Sequence, residues 1–150
     1  MSPLPTNVLD TSVAVKWFAD EGDVEQAKAV QLFEAFEQGR CELRAPELLF
    51  FEIANALKYS YKLSSSTIVD SLNSLQKLKI EVESLNWATL RKAVEIASTC
   101  GTAIYDSYFL AVAIGTESIL ITADQVFLRK ARHMPNIIDL RLFKLSERTS

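Results

Sequence analysis

Residues 103–115 read AIYDSYFLAVAIG, and Asp106 is the one charge between Glu95 and Glu117. An ionised carboxylate in so apolar a helix is costly to bury unless something pairs with it. Asp106 therefore stands at an exposed helix start, offsetting the helix dipole, or belongs to a site. The rest of the chain must supply a fold that brings other isolated carboxylates to it or leaves it alone.

The surrounding pattern points to short strands separated by helices. Residues 7–10 (NVLD) suit a strand ending in an acid, and residues 13–19 suit a short helix that Asp10, Thr11 or Ser12 can cap. Val24, Ala27, Val30, Leu32, Phe33 and Phe36 approximate one face of a helix over residues 23–36, which Gly39 stops. Residues 41–44 make a brief strand. Pro46 then opens the apolar helix PELLFFEIANALKYSYK in the first-turn position that proline tolerates, with Glu52 well inside it.

Residues 64–67 (SSST) begin another helix, continued by Ile68, Val69, Leu72, Leu75 and Leu78. Ile80 and Val82 alternate with acids, as at a sheet edge. Asn86 can cap a helix in which Trp87, Leu90, Val94 and Ala97 keep helical spacing until Gly101. After the Asp106 helix, residues 118–121 (SILI) suit a strand with Thr122, Ala123 and Asp124 at its polar end. Residues 126–133 suit a helix, and residues 136–140 a last strand. This order predicts an α/β domain with a mainly parallel central sheet and right-handed crossovers.

Composition sets the outer limits. The 150 residues, 49% hydrophobic and 23% charged, suit one globular domain. A net charge of −3 argues against a generally polybasic nucleic-acid coat. The charge is uneven. Asp20, Glu21, Asp23, Glu25, Glu34 and Glu37 face only Lys28 across residues 20–37. Arg129, Lys130, Arg132, Arg141, Lys144 and Arg148 outnumber Asp139 and Glu147 across residues 129–148. That asymmetry reads as solvated surface or as a binding face. Cys41 and Cys100 lack zinc-ligand or disulfide-scaffold spacing and read as reduced structural residues of a cytoplasmic protein. No secretory leader or bilayer-spanning run is recognised.

Four carboxylates are locally out of place or stand at strand ends: Asp10, Glu52, Asp106 and Asp124. In parallel α/β sheets, sites form beyond the carboxyl ends of strands. Asp10 and Asp124 have helix caps as alternative roles, and Glu52 a buried ion pair. Converging, the four would repel and raise one another's pKa unless cations neutralised them. Oxygen-only clusters suit Mg²⁺ or Mn²⁺.

The segments NVLDTSVAVKWF, PELLFFEIANAL, AIYDSYFLAVA and LITADQVFLRKA, in this order, resemble the PIN-domain family, and within it the VapC-type toxins of toxin–antitoxin pairs. The resemblance runs from Asn7 to about Leu140. It implies a three-layer α/β/α fold and a metal-dependent endoribonuclease. It assigns Asp10, Glu52, Asp106 and Asp124 to the catalytic, metal-holding cluster, with Thr11, Ser12, Asn55 and Thr122 as supporting polar residues. Thr122 can equally close a strand, and Asn55 can bond a loop. Gln125, Val126 and Phe127 stand where some relatives carry a further acid, so the number of metal ions stays open. A small antitoxin, a homodimer and an RNA substrate are the implied partners. The dimer would use the Pro46 helix and the helix after Ser64. Lys16, Lys58, Arg129 and Arg132 are the candidates for RNA phosphate contact.

Competing readings are a Mg²⁺-dependent phosphatase or phosphoacceptor using Asp10 as nucleophile, and a catalytically silent RNA- or protein-binding module. Asp10 lacks the adjacent acid or the DxD arrangement of the former. A serine triad would depend on His133, the only histidine, which lies in a basic stretch. The four dispersed glycines make no phosphate-binding loop. Trp17, Phe18, Tyr59 and Tyr61 pack into the core or an interface, or stack on bases.

Overall fold

A computed structural model of the chain describes residues 6–19 and 22–145. Five strands form one all-parallel sheet in the order β3-β2-β1-β4-β5: β1 (Thr6–Leu9), β2 (Glu42–Pro46), β3 (Glu81–Glu83), β4 (Ile119–Thr122) and β5 (Ile137–Asp139). The helices are α1 (Thr11–Ala14), α2 (Val24–Glu37), α3 (Leu48–Tyr59), α4 (Ser65–Lys77), α5 (Trp87–Cys100), α6 (Ile104–Gly115) and α7 (Gln125–Lys130). The chain moves outward from β1 to β3, returns through α5 and α6 to β4, and ends at β5. Crossovers of this order place helices on both faces of the sheet, giving three α/β/α layers. They also make the β1–β4 boundary the point where the direction of winding reverses.

Local chemistry explains most of the boundaries. The side chain of Asp23 accepts from the Gln26 amide, that of Ser64 from Thr67, and that of Asn86 from Thr89, so α2, α4 and α5 each start at a side-chain cap. Gly101 closes α5 at φ +70°, a left-handed conformation that glycine adopts without strain. Asp10 caps α1, which starts at Thr11, before residue 13, and continues as a 3₁₀ turn, Val15–Trp17. Pro46 is the last residue of β2, opposite Glu83, and not the first turn of a helix. It needs no ladder donor there, and the Glu47 amide donates to Glu83 O instead (3.2 Å). Helix α7 spans residues 125–130 and stops short of Arg132 and His133.

The core runs through β1, β2, β4 and α6. Val8, Leu9, Leu43, Leu49, Ile53, Leu57, Phe109, Leu110, Leu120 and Ile121 are fully buried in it. Two helices present different faces from those the large apolar residues predict. Helix α2 buries Ala29, Leu32 and Ala35 and exposes Val24 and Val30. Helix α5 buries Ala93, Ile96 and Ala97 against α6 and exposes Trp87 and Val94. Alanines on the inner face allow close approach, and the valines are left outside. Trp17, Phe18 and Tyr61 pack against the core, whereas Tyr59 is exposed. Cys41 is buried, Cys100 half-buried, and they form no disulfide.

The acidic and basic stretches meet each other. Arg141 Nε approaches Glu25 at 4.0 Å, Lys28 Nζ donates to Phe143 O (3.3 Å), and Arg141 is tied to Asp139. Part of the sequence asymmetry is therefore internal pairing. Asp20, Glu21, Glu147 and Arg148 lie outside the described residues. Among the described residues, no helix is long and apolar enough to cross a membrane.

The helix register can be checked by mutation. Ile96, 2% exposed, should lose about 2–5 kcal/mol on truncation to alanine. Val94→Ala, at a site 45% exposed, should change stability by no more than about 0.5 kcal/mol. Urea unfolding of both variants measures the contrast, and equal losses would place the wrong face of α5 inward.

Candidate metal-binding acidic site

Beyond the carboxyl ends of β1 and β4 lies an open cavity of about 690 Å³. Asp10, Glu52, Asp106 and Asp124 all line it, together with Thr11, Ser12, Asn55 and Ser60. Two of the acids follow strands, and two lie on helices that end their approach at the same crevice. Glu52 is in the second turn of α3, and Asp106 is in the first turn of α6. Four separate segments thus bring their carboxylates to one place.

Each acid is held differently. Asp10 Oδ2 accepts from the Ser12 hydroxyl (2.5 Å), the Thr122 hydroxyl (2.9 Å) and the Ser12 amide (3.3 Å). The Ser12 hydroxyl also receives the Ala123 amide (2.9 Å), and the Thr122 hydroxyl receives the Asp124 amide (3.1 Å). Thr11 Oγ1 donates to Glu52 Oε1 at 2.6 Å. Asp124 Oδ1 caps α7 by accepting from Phe127 N (3.0 Å), so its capping role and its place in the cavity coexist. Asp106 has no hydrogen-bond or ion-pair partner among the described residues.

The electrostatics follow from this arrangement. Burial pushes the Asp10 carboxyl up, bonds from Ser12 and Thr122 oppose that, and the Asp124 charge adds to it. Burial also raises Glu52, against the Thr11 bond and with the charges of Asp10 and Asp106. Asp106, with no donor to oppose them, is pushed up to about 6 by burial and by the charges of Asp10 and Asp124. The acids feel one another across the cavity.

The donor set is all oxygen and all anionic, which fits a hard divalent cation. As the side chains stand, no three His, Cys, Asp or Glu residues among those described are close enough to hold one ion. Mutual repulsion opposes closer approach, and a cation would remove that opposition.

The supporting residues divide. Thr11, Ser12 and Thr122 bond to the acids, whereas Asn55 lines the cavity without a hydrogen-bond partner among the described residues. None of the four basic candidates lines it. Lys16 is buried and paired with Glu25 at 3.5 Å, because the 3₁₀ turn aims it at α2. It is therefore not an exposed phosphate contact. Lys58 lies over the Tyr59 ring, and Arg129 and Arg132 are exposed near α7. Sequence reasoning missed Leu48, Phe51, Ala56, Ser60 and Tyr105 in the lining. Phe51 and Tyr105 carried a signal, since each immediately precedes one of the acids.

Asp106 should be a stability liability. Its pKa rises on folding from 3.8 to about 6, so the folded protein binds that proton more tightly. The stability tied to the proton is fully present below about pH 3.8 and is lost as pH rises through about 6. Asp106→Asn, measured without metal, should therefore be more stable than the parent by about 1–2 kcal/mol at pH 7.5, allowing for solvent screening. The gain should vanish near pH 4 in thermal unfolding. A gain independent of pH would refute the electrostatic account.

Comparison with known proteins agrees with the fold. Among solved structures, a toxin–antitoxin complex from Klebsiella pneumoniae matches at 14% identity and TM-score 0.67, covering 89% of this chain and 97% of that one. VapC20 of Mycobacterium tuberculosis, a sarcin-ricin-loop-cleaving toxin, matches at 15% identity and TM-score 0.66, covering 82% and 93%. DNA-bound VapBC from Salmonella typhimurium matches at 14% and 0.64, covering 91% and 99%. At these identities the likeness is one of fold. No curated protein sequence matches the chain at a significant level. The PIN domain family model matches residues 8–133, a span that takes in all four acid-bearing segments, and the chain accordingly belongs to the PIN domain family.

Proposed function

We propose that this protein is a metal-dependent endoribonuclease, the toxin of a VapBC-type toxin–antitoxin pair. The observation that carries the reading is the convergence of Asp10, Glu52, Asp106 and Asp124 on one open cavity at the reversal point of the sheet. Membership of the PIN domain family and likeness of fold to toxin proteins support it.

The four carboxylates would hold Mg²⁺ or Mn²⁺. A cation bound there supplies a water activated for attack on a phosphodiester and neutralises charge on the leaving oxygen. The chain's own residues do the rest. Ser12 and Thr122 fix one oxygen of Asp10, and Thr11 fixes one oxygen of Glu52. Neutral hydroxyl donors orient these carboxylates without cancelling their charge, as supporting groups around a metal site do. Asp106 adds a carboxylate with no competing hydrogen-bond partner among the described residues. No side-chain nucleophile is required.

Partners follow from the same reading. A basic residue on an antitoxin tail would complement the acidic cavity and exclude the cation. Self-association would use apolar surface that the fold leaves open. Exposed apolar residues include Phe51 and Tyr59 on α3, Val69 on α4, and Leu85, Trp87 and Ile104 around α5 and the start of α6. The cytoplasm is the proposed location, where the RNA substrate is found.

Incubating the protein with an RNA pool and mapping the cleavage ends tests the chemistry. Cleavage should require Mg²⁺ or Mn²⁺ and stop with EDTA. Asp10→Asn and Asp106→Asn should lower the rate by at least about 100-fold, and Thr11→Val by about 10- to 100-fold. Wild-type cleavage rates in either aspartate variant would overturn the assignment. Failure of the protein to bind Mg²⁺ or Mn²⁺ at all would favour a silent binding module.

A further inference from the structure

The two aromatic members of the cavity lining are not accounted for by the acid chemistry. Phe51 is 73% exposed and Tyr105 is 65% exposed, and both line the cavity that holds the four carboxylates. They sit on separate helices, Phe51 directly before Glu52 on α3 and Tyr105 directly before Asp106 on α6. The core does not use them: α3 buries Leu49, Ile53 and Leu57, while burial in α6 begins at Ser107. A single exposed ring is ordinary. Two rings beside four acids in one cavity form a local composition that calls for a ligand with flat faces.

The rest of the lining narrows the choice. It contains four acids and no lysine or arginine. A polyanion entering the cavity gains no direct ion pair from its wall. Beyond any bound cation, affinity has to come from uncharged contacts, and Phe51 and Tyr105 are the aromatic members of the wall. Every nucleobase has a π-face that such rings can stack on, and each stacked base is worth about 5- to 150-fold in affinity. Tyr105 and Leu48 also border a neighbouring apolar cavity of about 220 Å³, lined by Leu85, Ile104 and Tyr108, so Tyr105 has apolar neighbours away from the acids.

We infer that Phe51 and Tyr105 are base-stacking walls of the groove, taking nucleobases that flank the phosphodiester of an unpaired RNA segment. The inference rests on the ribonuclease reading above and deepens it. Bases in a duplex are stacked on one another, so only a single strand, loop or bulge offers free faces. These are binding residues, and their effect belongs in RNA affinity and KM, with metal binding untouched.

The test is a cycle between protein and RNA. An oligonucleotide spanning a mapped cleavage site, and the same one carrying an abasic nucleotide beside that site, would be bound to the cleavage-deficient Asp106→Asn protein with Mg²⁺. Fluorescence anisotropy gives the affinities. Phe51→Ala and Tyr105→Ala in that background should weaken binding of the intact RNA by about 5- to 150-fold. The abasic change should weaken binding similarly, and the two together should lose little more than either alone. Phe51→Trp and Tyr105→Phe should retain affinity, and Mn²⁺ binding by electron paramagnetic resonance should be unchanged in the otherwise wild-type alanine variants. Unaltered RNA binding, or fully additive losses, overturns the stacking role. So does a shift in oligomeric state by sedimentation without coupling to the abasic site, which would assign the rings to a contact between copies. Normal cleavage with no effect of the alanines sinks this inference alone, whereas a parent that neither cleaves nor binds RNA sinks the ribonuclease reading with it.

Discussion

Three donors converge on one oxygen of Asp10, and the geometry of the acidic end depends on them. Ser12 contributes its amide and hydroxyl, and Thr122 reaches across from the end of β4. Ser12 in turn receives the Ala123 amide, so the ends of β1 and β4 are stitched together through side chains where the sheet ladder stops. That is the place where the direction of winding reverses and a crevice must open. Its side-chain donors to Asp10 are both hydroxyls. An arginine or lysine in the same position would neutralise Asp10 and leave nothing for a cation to do.

The same logic extends outward in declining strength. Glu52 has one hydroxyl donor, Asp124 has one backbone donor, and Asp106 has none. Asp106 accordingly has no donor to oppose burial and its neighbours' charges, which push its carboxyl up to about 6. A cluster of this kind works against the stability of the fold while it remains unneutralised, as sites that concentrate perturbed carboxylates do. The opposing contribution is the apolar interior immediately behind it. Residues 107–113 of α6, beginning one position after Asp106, are all buried. The helix that carries the least supported acid is thus also the most deeply anchored one.

Much of the site was legible because charges in wrong places survive any uncertainty about structure. Glu52 among LLFFEIANAL and Asp106 among AIYDSYFLAVA are conspicuous whichever way their helices face. Caps were legible for a similar reason, since Asp10 acts on an amide two residues away and Asn86 on one three residues away. Helix faces were less legible. Val24, Val30 and Val94 are periodic and apolar, yet alanines take the inner face of α2 and α5 because smaller side chains let the helices close on their neighbours. Pro46 shows the limit of a local rule, because a proline fits the last position of a strand as well as the first turn of a helix.

The sequence alone determined the kinds of groups available: alternating short strands and helices, four isolated acids, and hydroxyl residues beside two of them. These are local properties of composition and spacing. Only the tertiary structure decided which groups meet. It turned Lys16 inward to Glu25, joined the acidic and basic stretches through Arg141, and set Phe51 and Tyr105 beside the acids. Such outcomes depend on strand order and on the rotation of each helix about its axis. Those are settled by the packing of the whole core, and no single segment encodes them.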